Sequence, residues 1–532
     1  MATTKIQNNE VRVPFLSDKM SYITGLDPLG LQNPSSRAYT YLLNGLNVVS
    51  RRIRNYSFYC WLLNEFSKKV TSRDPKIQKE FVRKAEYIIA LSSVFNGLEG
   101  INGSTYASKT LESEDTDIIL SEGIYNRQGT TDNTYWKYSF GIFGQYYMGS
   151  MRQIRIIEEV ADEFGNPLGL YRVTKKYDSK SITGEDLAEA FSKNIPSHKQ
   201  QLLLTCIENN LINRQQLGEL FPEFNMFSIP QESEENTLLI KMIFQPDDPE
   251  FSEEEPSFNR RNTFSYVLNY AHNNPENLKE HNFTRWAYYQ KGRRDKNFDE
   301  TLFGWYYYQF NEFFRLLCTA CLNGILNRLE EEEGWIHLFN LIQQSVEGTI
   351  EELEKSHRVK SSLPVSEILS MTFGLEENLC DKMLDEKKWV SMSYAIQLLF
   401  KLFQENENFI EELSEYVHER AIDSEFDVIS FFQIEFKRYQ ELTLSEFLKS
   451  FYLNQVIYRH RNVAYRKMVG NQSTEKFLFE DNYLRHISNF APDYTASRIG
   501  TVITFLRDLH LIDGENKPTS AGINLSDSRN DN

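Results

Sequence analysis

Cysteine is scarce in this 532-residue chain, which contains five of them: Cys60, Cys206, Cys318, Cys321 and Cys380. They are too few and too scattered for a disulfide framework in a chain of this length, which favours a reducing compartment. Cys318 and Cys321 are spaced as CxxC, but a structural zinc site needs four ligands. Neither a second pair nor a histidine at ligand spacing accompanies them, so we interpret both as packing residues and predict no metal site.

Long apolar runs are also missing. No stretch of eighteen uncharged apolar residues occurs, so the sequence predicts no membrane span. The N-terminal segment MATTKIQNNEVRVPF lacks the apolar core of an export signal. Together these features predict a soluble, cytoplasmic protein.

The common catalytic signatures do not occur. The chain contains no phosphate-binding GxxxxGK[ST], no dinucleotide-binding GxGxxG, no HExxH and no GxSxG. Nucleotide hydrolysis, zinc proteolysis and the chemistry of a hydrolase elbow are therefore unsupported. We expect no cofactor.

Positive charge is in deficit, with 58 basic against 75 acidic residues and a net charge of −17. Such a chain has no global attraction to phosphate, so any nucleic-acid binding must come from a local basic patch. Aromatic residues, in contrast, are abundant at 14%. They place much of the hydrophobic core in rings rather than in aliphatic branches.

Hydrophobic spacing at three and four residues dominates the chain and predicts a mainly α protein, a multi-helical body with one or two winged-helix-like modules. Nine acidic residues against one lysine mark a linker between Gln231 and Ser257. We divide the chain into an N-terminal basic and aromatic helical domain (1–130), a winged-helix-like module (131–195), a helix with an acidic linker (196–256), a central helical domain (257–440), and a long basic helix with a C-terminal winged-helix module (441–532).

A turn-rich entry followed by a basic, aromatic helix organises the N-terminal domain. The apolar spacing from Leu42 to Tyr56 predicts one continuous helix that begins near Ser36, with Ser35 or Ser36 as its cap. Three cations, Arg51, Arg52 and Arg54, precede a cluster of rings in this helix. Guanidinium groups beside rings suit phosphate pairing and base stacking, although dense aromatics are more often core.

The run DPLGLQNPSSRAYTYLLNGLNVVSRRIRNYSFYCWLL in this domain resembles the opening of an uncharacterised family of large helical bacterial proteins. Members of that family are encoded beside helicases, nucleases and ATPases in phage-defence islands. The likeness covers some forty residues here and extends more weakly to the C-terminal region. It implies a bacterial setting and a multi-protein system, with a helicase, nuclease or ATPase as partner, and it carries no catalytic motif.

Two segments carry the winged-helix pattern. In the first, apolar runs flank Gly165-Asn166-Pro167 as in a β-hairpin, and Thr183 opens the helix that follows. In the second, we expect a strand at Phe477–Phe479, helices over 482–489 and 495–511, and a wing-like turn at Ile512-Asp513-Gly514. With thirteen basic and twelve acidic residues from Glu435 onward, the second module is close to neutral, which suits a protein surface better than a polyanion.

The long helix predicted over Leu442–Met468, with Thr443 or Ser445 as its cap, is the second basic element. The cations of its C-terminal half lie where the helix dipole favours positive charge. This stabilising role would explain them without any ligand. They are nevertheless candidates for phosphate contact, together with the N-terminal arginines and one residue of the C-terminal module. The candidate nucleic-acid-binding residues are Arg51, Arg52, Arg54, Arg459, Arg461, Arg466, Lys467 and Arg498.

One segment permits an enzymatic alternative. EFDVISFFQIEFKRY places Asp427 before Glu435 and Lys437, an arrangement that resembles the acidic Glu-x-Lys site of metal-dependent nucleases. Such sites need strands that bring the carboxylates together on a divalent metal. No strand pattern precedes this segment, so the nuclease stays an alternative.

These patterns favour a non-enzymatic subunit of a bacterial anti-phage defence system that binds DNA or a partner protein through winged-helix modules. The first alternative is the metal-dependent nuclease effector. In the second, the winged modules dock onto a chromosome-organising type of ATPase.

Overall fold

The computed structural model describes residues 20–25, 27–113, 115–124, 133–175, 182–244, 256–290, 299–332, 334–357 and 359–527. The chain forms two compact units. Unit 1 consists of Met1–Ser35 and Gln309–Thr495, and unit 2 consists of Ser36–Tyr308 and Ala496–Asn532. The five-segment division stays a prediction.

Unit 1 is helical apart from short strands. Its helices are Leu338–His357, Val365–Ile368, Glu376–Asp385, Lys388–Asn406, Glu407–Phe409 (3-10), Ile410–Glu419, Val428–Ser430, Phe431–Phe436 (π), Lys437–Tyr439, Leu444–Phe451, Tyr452–Tyr458 (π) and Arg459–Lys467. Its strands are Ser21–Tyr22, Trp335–His337, Gln472–Ser473, Phe477–Glu480 and Tyr483–His486. Strand Tyr483–His486 pairs antiparallel with both Trp335–His337 and Phe477–Glu480, and Ser21–Tyr22 pairs parallel with Gln472–Ser473.

Unit 2 is also helical, with two small two-stranded sheets. Its helices are Arg54–Lys69, Pro75–Phe95, Ser104–Leu111, Leu120–Ile124, Phe143–Tyr147 (π), Met148–Gln153, Gly184–Lys193, Ser197–Asn209, Arg214–Leu220, Glu234–Phe244, Pro256–Asn273, Pro275–Asn277 (3-10), Glu280–Tyr289, Ile499–Asp508 and Ser520–Asp527. Its strands are Asp117–Ile119, Ile157–Ala161, Pro167–Val173 and Leu211–Asn213. Two further helices, Gln32–Leu42 and Glu300–Glu331, include residues of both units.

The predicted mainly α class is confirmed. Within the described residues, no helix has the length and apolar character needed to cross a membrane. Rings fill the cores, as the composition indicates. In unit 1, the Phe403 and Phe436 ring centroids lie 4.7 Å apart, and those of Phe314 and Phe431 lie 4.9 Å apart.

The prediction of a single N-terminal helix from Ser36 to Tyr56 and beyond is wrong. One helix ends at Leu42 and the next begins at Arg54. Gly45 adopts a φ of +78°, which leaves the helical region. The Asn47 side chain then accepts hydrogen bonds from the backbone N–H groups of Val49 and Ser50 at 3.0 and 2.8 Å. Such an Asx turn competes with the helix for the backbone.

The expected cap at Ser35 or Ser36 is also wrong. The helix starts earlier, at Gln32, with Pro34 in its first turn, where a proline is tolerated because that backbone N–H has no helical partner. The Ser35 hydroxyl instead donates to Glu312, 2.7 Å away within unit 1.

The helical region that begins at Ser197 is interrupted after Asn209. Asn210 adopts the left-handed conformation that ends helix Ser197–Asn209, and strand Leu211–Asn213 follows. This strand pairs antiparallel with Asp117–Ile119. The partner lies about ninety residues away along the chain, so local spacing contains no sign of the pairing.

The elements of the first winged-helix-like segment are present. Strands Ile157–Ala161 and Pro167–Val173 pair antiparallel around the predicted Gly165-Asn166-Pro167 turn. Thr183 caps helix Gly184–Lys193 in a reciprocal capping box with Asp186. This helix packs on helix Arg54–Lys69 of the same unit. Whether the segment functions as a winged-helix module stays a prediction.

The C-terminal segment needs one correction. The helix predicted over 482–489 is wrong, because Tyr483–His486 is the central strand of the three-stranded sheet. Strand Phe477–Glu480 and helix Ile499–Asp508 are found close to their predicted positions. The predicted turn at Asp513 is closed by its side chain, which accepts from the backbone of Glu515 and Lys517.

The acidic linker is partly structured. A helix, Glu234–Phe244, lies where a linker was expected. Its Glu235 side chain is buried, and Arg54 neutralises the carboxylate charge. The remaining acidic residues of the segment, from Asp247 to Glu255, lie outside the described residues.

Candidate functional site

Arg54 is enclosed in unit 2 and is 2% exposed. Its guanidinium pairs with Glu235 at 3.3 Å and donates to the carbonyls of Asn225 and Ser228 at 2.8 and 2.7 Å. A buried charge must be paired in this way, because desolvation without a partner is costly. Arg54 therefore connects two segments of the unit and lies beyond the reach of a nucleic acid.

Arg52 is half-buried, and its guanidinium contacts both a carboxylate and an aromatic ring. Its Nη1 lies 2.7 Å from an Asp508 carboxylate oxygen, and its guanidinium lies 4.1 Å from the centre of the Phe227 ring. Its neighbour Arg51 is exposed, and no described carboxylate forms an ion pair with it. Of the three predicted N-terminal cations, only Arg51 is directed to solvent.

Asp508 provides a pH test of this arrangement. Burial raises its pKa from 3.8 to about 6, against the opposing charge of Arg52. The folded chain therefore holds this proton more tightly than the unfolded chain does, and the resulting stabilisation is lost as the pH rises from about 4 through about 6. Across this window we expect wild type to lose about 3 kcal/mol of unfolding free energy relative to Asp508→Asn, since one pKa unit corresponds to about 1.4 kcal/mol.

Urea unfolding at a series of pH values measures this difference. The control is Asp117→Asn, which removes an exposed carboxylate from the same unit. A constant difference between wild type and Asp508→Asn would show that Asp508 does not titrate as its burial implies.

Arg498 lies at the start of helix Ile499–Asp508, with a left-handed φ of +70°. It donates to the Leu46 carbonyl and to the Thr40 hydroxyl, and its guanidinium lies 4.7 Å from the centre of the Tyr39 ring. Burial lowers the pKa of this guanidinium. Its partners are neutral, so its positive charge is not cancelled within unit 2.

The second predicted basic element keeps its cations nearer to solvent. Thr443 caps helix Leu444–Phe451 through a capping box with Glu446, as predicted. The chain continues through the π-helical turn Tyr452–Tyr458 into helix Arg459–Lys467. Within this last helix, Arg459 lies 3.3 Å from the centre of the Phe426 ring and burial lowers its pKa, so we do not count it as accessible.

The outward side of the same helix forms what we call the basic surface, made of Arg461, Tyr465, Arg466 and Lys467. The Arg461 guanidinium lies 4.6 Å from the centre of the Phe479 ring and 5.6 Å from that of Tyr465, and no described carboxylate forms an ion pair with it. Arg466 pairs with the exposed Glu425 at 3.3 Å. Lys467 donates to the Asp27 carbonyl at 2.6 Å.

Rings complete the basic surface, and the sequence alone did not single them out. Tyr465 is exposed, and Tyr458 stacks on Phe479 with ring centroids 6.1 Å apart. Tyr458, Arg461 and Tyr465 are spaced by three and four residues, which places them on one side of the helical run. That spacing could have identified Tyr458 and Tyr465 from the sequence. Phe479 lies on a separate strand, so the spacing could not identify it.

His460 anchors this helix from beneath. Its Nδ1 lies 2.9 Å from the Pro28 carbonyl, and its Nε2 accepts from the Lys476 N–H at 2.9 Å. Burial lowers its pKa to about 4. The histidine is therefore neutral near pH 7 and serves as a packing residue that ties three segments of unit 1 together.

The residues of the nuclease alternative lie on a short helical run. The Asp427 side chain caps helix Val428–Ser430 by accepting from the Ser430 N–H at 2.9 Å, and the residue is buried. Glu435 lies in the following π-helical turn, and Lys437 is exposed. With its carboxylate engaged as a cap, Asp427 is not presented beside Glu435 as a metal ligand.

Neither metal-ligand clusters nor paired cysteines are found in the part of the chain that the structure describes. No group of three or more His, Cys, Asp or Glu there is placed to hold a metal ion. Cys318 and Cys321 are buried and free, in keeping with their interpretation as packing residues. The acidic residues Asp247, Asp248 and Glu250 lie outside the described residues.

A second exposed feature of unit 1 is the outer face of its three-stranded sheet. Trp335 is 56% exposed and Tyr483 is 43% exposed, with ring centroids 5.3 Å apart. Phe339, at 62% exposure, follows on the adjacent helix and lines a cleft of about 490 Å³. Lys449 is the one acidic or basic residue among those that line the cleft, apart from His337. We call this region the aromatic sheet face.

Comparison with known proteins adds no relative: no family model matches the chain, no curated protein matches it, and no solved structure matches its fold.

Proposed function

We propose that this protein is a non-enzymatic, nucleic-acid-binding subunit of a bacterial anti-phage system, and that it contacts DNA through the basic surface of unit 1. The observation that supports this best is the placement of Arg461. Its guanidinium lies beside two rings and no carboxylate among the described residues pairs with it, so a phosphate can approach it without displacing such an ion pair.

The surrounding side chains fit the same ligand. Arg466 pairs with the exposed Glu425, and exposed ion pairs of this kind contribute about 0–1 kcal/mol, so a phosphate can replace that partner. Tyr465 offers a ring on which a base can stack. The resemblance of the N-terminal run to a defence-island family favours a partner helicase, nuclease or ATPase that supplies the catalysis, and a cytoplasmic location.

Charge reversal tests the proposal. We expect Arg461→Glu with Arg466→Glu to weaken binding of a labelled oligonucleotide at least tenfold, because two phosphate contacts are replaced by repulsion. The slope of log K against log salt should also fall by about one unit per lost contact. Fluorescence anisotropy on single-stranded and duplex DNA at several salt concentrations measures both quantities.

The matched control is Lys355→Glu with Lys360→Glu, which reverses two charges of the same unit outside the basic surface. It should leave the affinity nearly unchanged. Equal losses in both double variants would mean that the chain responds only to its overall charge, and an unchanged affinity in the Arg461 variant would remove the basic surface as the DNA site.

A second candidate function is protein docking, which the aromatic sheet face favours. Tryptophan and tyrosine are the residues most often found at the energetic centre of protein interfaces. A winged module that docks onto a chromosome-organising type of ATPase would use such a face. The few cations there make it less suited to a polyanion than the basic surface is.

We expect Trp335→Ser with Phe339→Ser to abolish co-purification with a subunit encoded beside this protein while leaving DNA affinity intact. The solvent exposure of both rings predicts that folding is preserved, which circular dichroism checks. Retention of the partner by this double variant would contradict docking at the aromatic sheet face.

A further inference from the structure

Unit 2 contains a cavity of about 510 Å³ that the sequence patterns do not indicate. Its walls come from helix Arg54–Lys69, the loop 99–102, the π-helical turn Phe143–Tyr147 and the start of helix Ile499–Asp508. This volume falls within the range of about 300–1,000 Å³ that is typical of small-molecule sites. Apolar side chains, among them Ile89, Ile142 and Met226, form much of the lining.

Some polar side chains of the cavity lining already form hydrogen bonds with the protein, and others could contact a ligand. Glu86 accepts from four donors, and Glu280 accepts from the N–H and hydroxyl of Ser497. Both carboxylates are thus engaged with the protein. Glu99 is the remaining acid of the lining, and it is exposed at the rim.

The available charge is positive. Arg51 reaches the cavity from the exposed loop before helix Arg54–Lys69, and no described carboxylate pairs with it. Arg498 also lines the cavity and adds positive charge there, while its two Nη atoms donate to the Leu46 carbonyl and the Thr40 hydroxyl. Asn55 and Thr501 add neutral hydrogen-bonding groups. The Arg51 guanidinium and the positive charge of Arg498, beside apolar side chains, match a ligand with an anionic end and a flat, apolar body.

We infer that this cavity binds a small aromatic phosphate of mononucleotide size, with the phosphate at Arg51 and the ring against the apolar side chains of the lining. Guanidinium binds phosphate through paired, charge-assisted hydrogen bonds. A ring that packs against Ile89, Ile142 and Met226 loses contact with water, which favours binding. The inference is independent of the DNA contact proposed for unit 1, because the two sites share no residue.

Isothermal titration of the full-length protein with AMP, GMP, CMP and UMP tests the inference, with adenosine and inorganic phosphate as the two halves of the ligand. We expect at least one mononucleotide to bind at least tenfold more tightly than either half. Arg51→Gln should weaken that binding about tenfold, as loss of one charged contact does. Asn102→Trp, at the rim of the cavity, should abolish it by filling the entrance.

Lys68→Gln is the matched control, since it removes one exposed charge from the same unit outside the cavity lining, and it should bind like wild type. Absence of binding by all four mononucleotides would overturn the inference, and so would an affinity that Arg51→Gln and Asn102→Trp leave unchanged. DNA binding measured in the same variants separates the two sites: Arg51→Gln should leave it intact, whereas the Arg461 variant should retain mononucleotide binding.

Discussion

Glu312→Ala is expected to destabilise unit 1 by about 3–5 kcal/mol, the loss typical of removing one partner of a buried ion pair. Glu312 is fully buried and accepts from Arg315 at 3.0 and 2.9 Å, from the Ser35 hydroxyl at 2.7 Å and from the Thr495 N–H at 3.0 Å. Burial by itself raises the pKa of Glu312, but the Arg315 charge and these hydrogen bonds lower it overall. Truncation leaves the buried Arg315 without this carboxylate.

Urea unfolding followed by circular dichroism measures the loss. The double variant Glu312→Leu with Arg315→Met is the informative control, since it removes both charges while keeping side-chain volume. It should be less destabilised than Glu312→Ala, because no charge remains buried alone. A double variant as unstable as the single one would mean that the hydrogen bonds to Ser35 and Thr495, rather than the ion pair, account for the effect.

Glu86→Ala should have the other large effect, a loss of about 3–5 kcal/mol in unit 2, because it leaves several buried donors without an acceptor at about 1–3 kcal/mol each. The Glu86 carboxylate accepts from the hydroxyls of Tyr59 and Tyr135 at 2.9 and 2.5 Å, and from the N–H groups of Ile142 and Phe143 at 2.9 and 2.6 Å. Burial raises the pKa of Glu86 in spite of these bonds. One side chain therefore holds the start of the π-helical turn against helix Pro75–Phe95.

Hydrogen exchange gives a local measurement for this variant. The amides of Ile142 and Phe143 should lose protection in Glu86→Ala, and Glu86→Gln should lose part of it, since the amide nitrogen of glutamine cannot accept. Glu80→Gln, which removes the same charge at an exposed position of the same helix, should lie within about 0.5 kcal/mol of wild type. Unchanged exchange at Ile142 and Phe143 in Glu86→Ala would show that the turn is held by packing alone.

The sequence by itself determined the features whose causes lie within a few residues. The helix Pro75–Phe95 follows from its apolar spacing and its Asp74 cap, and the Gly165 turn and the Thr183 and Thr443 caps act through neighbouring backbone groups. The mainly α class follows from the same local periodicity. The expectation that Cys318 and Cys321 are packing residues follows from the sequence too, because no further ligands accompany the pair at zinc-site spacing.

Only the tertiary structure decided where strands form by pairing with distant segments and which cations stay accessible. Leu484 belongs to a strand because it pairs with Ile336, about 150 residues earlier, and no local spacing contains that contact. Arg54 and Arg461 are both arginines beside rings in the sequence, yet a distant glutamate pairs with the buried Arg54, whereas Arg461 lies beside the rings of Tyr465 and Phe479. Burial and ion pairing depend on residues far apart in the chain, which is why the sequence could nominate both arginines and could not choose between them.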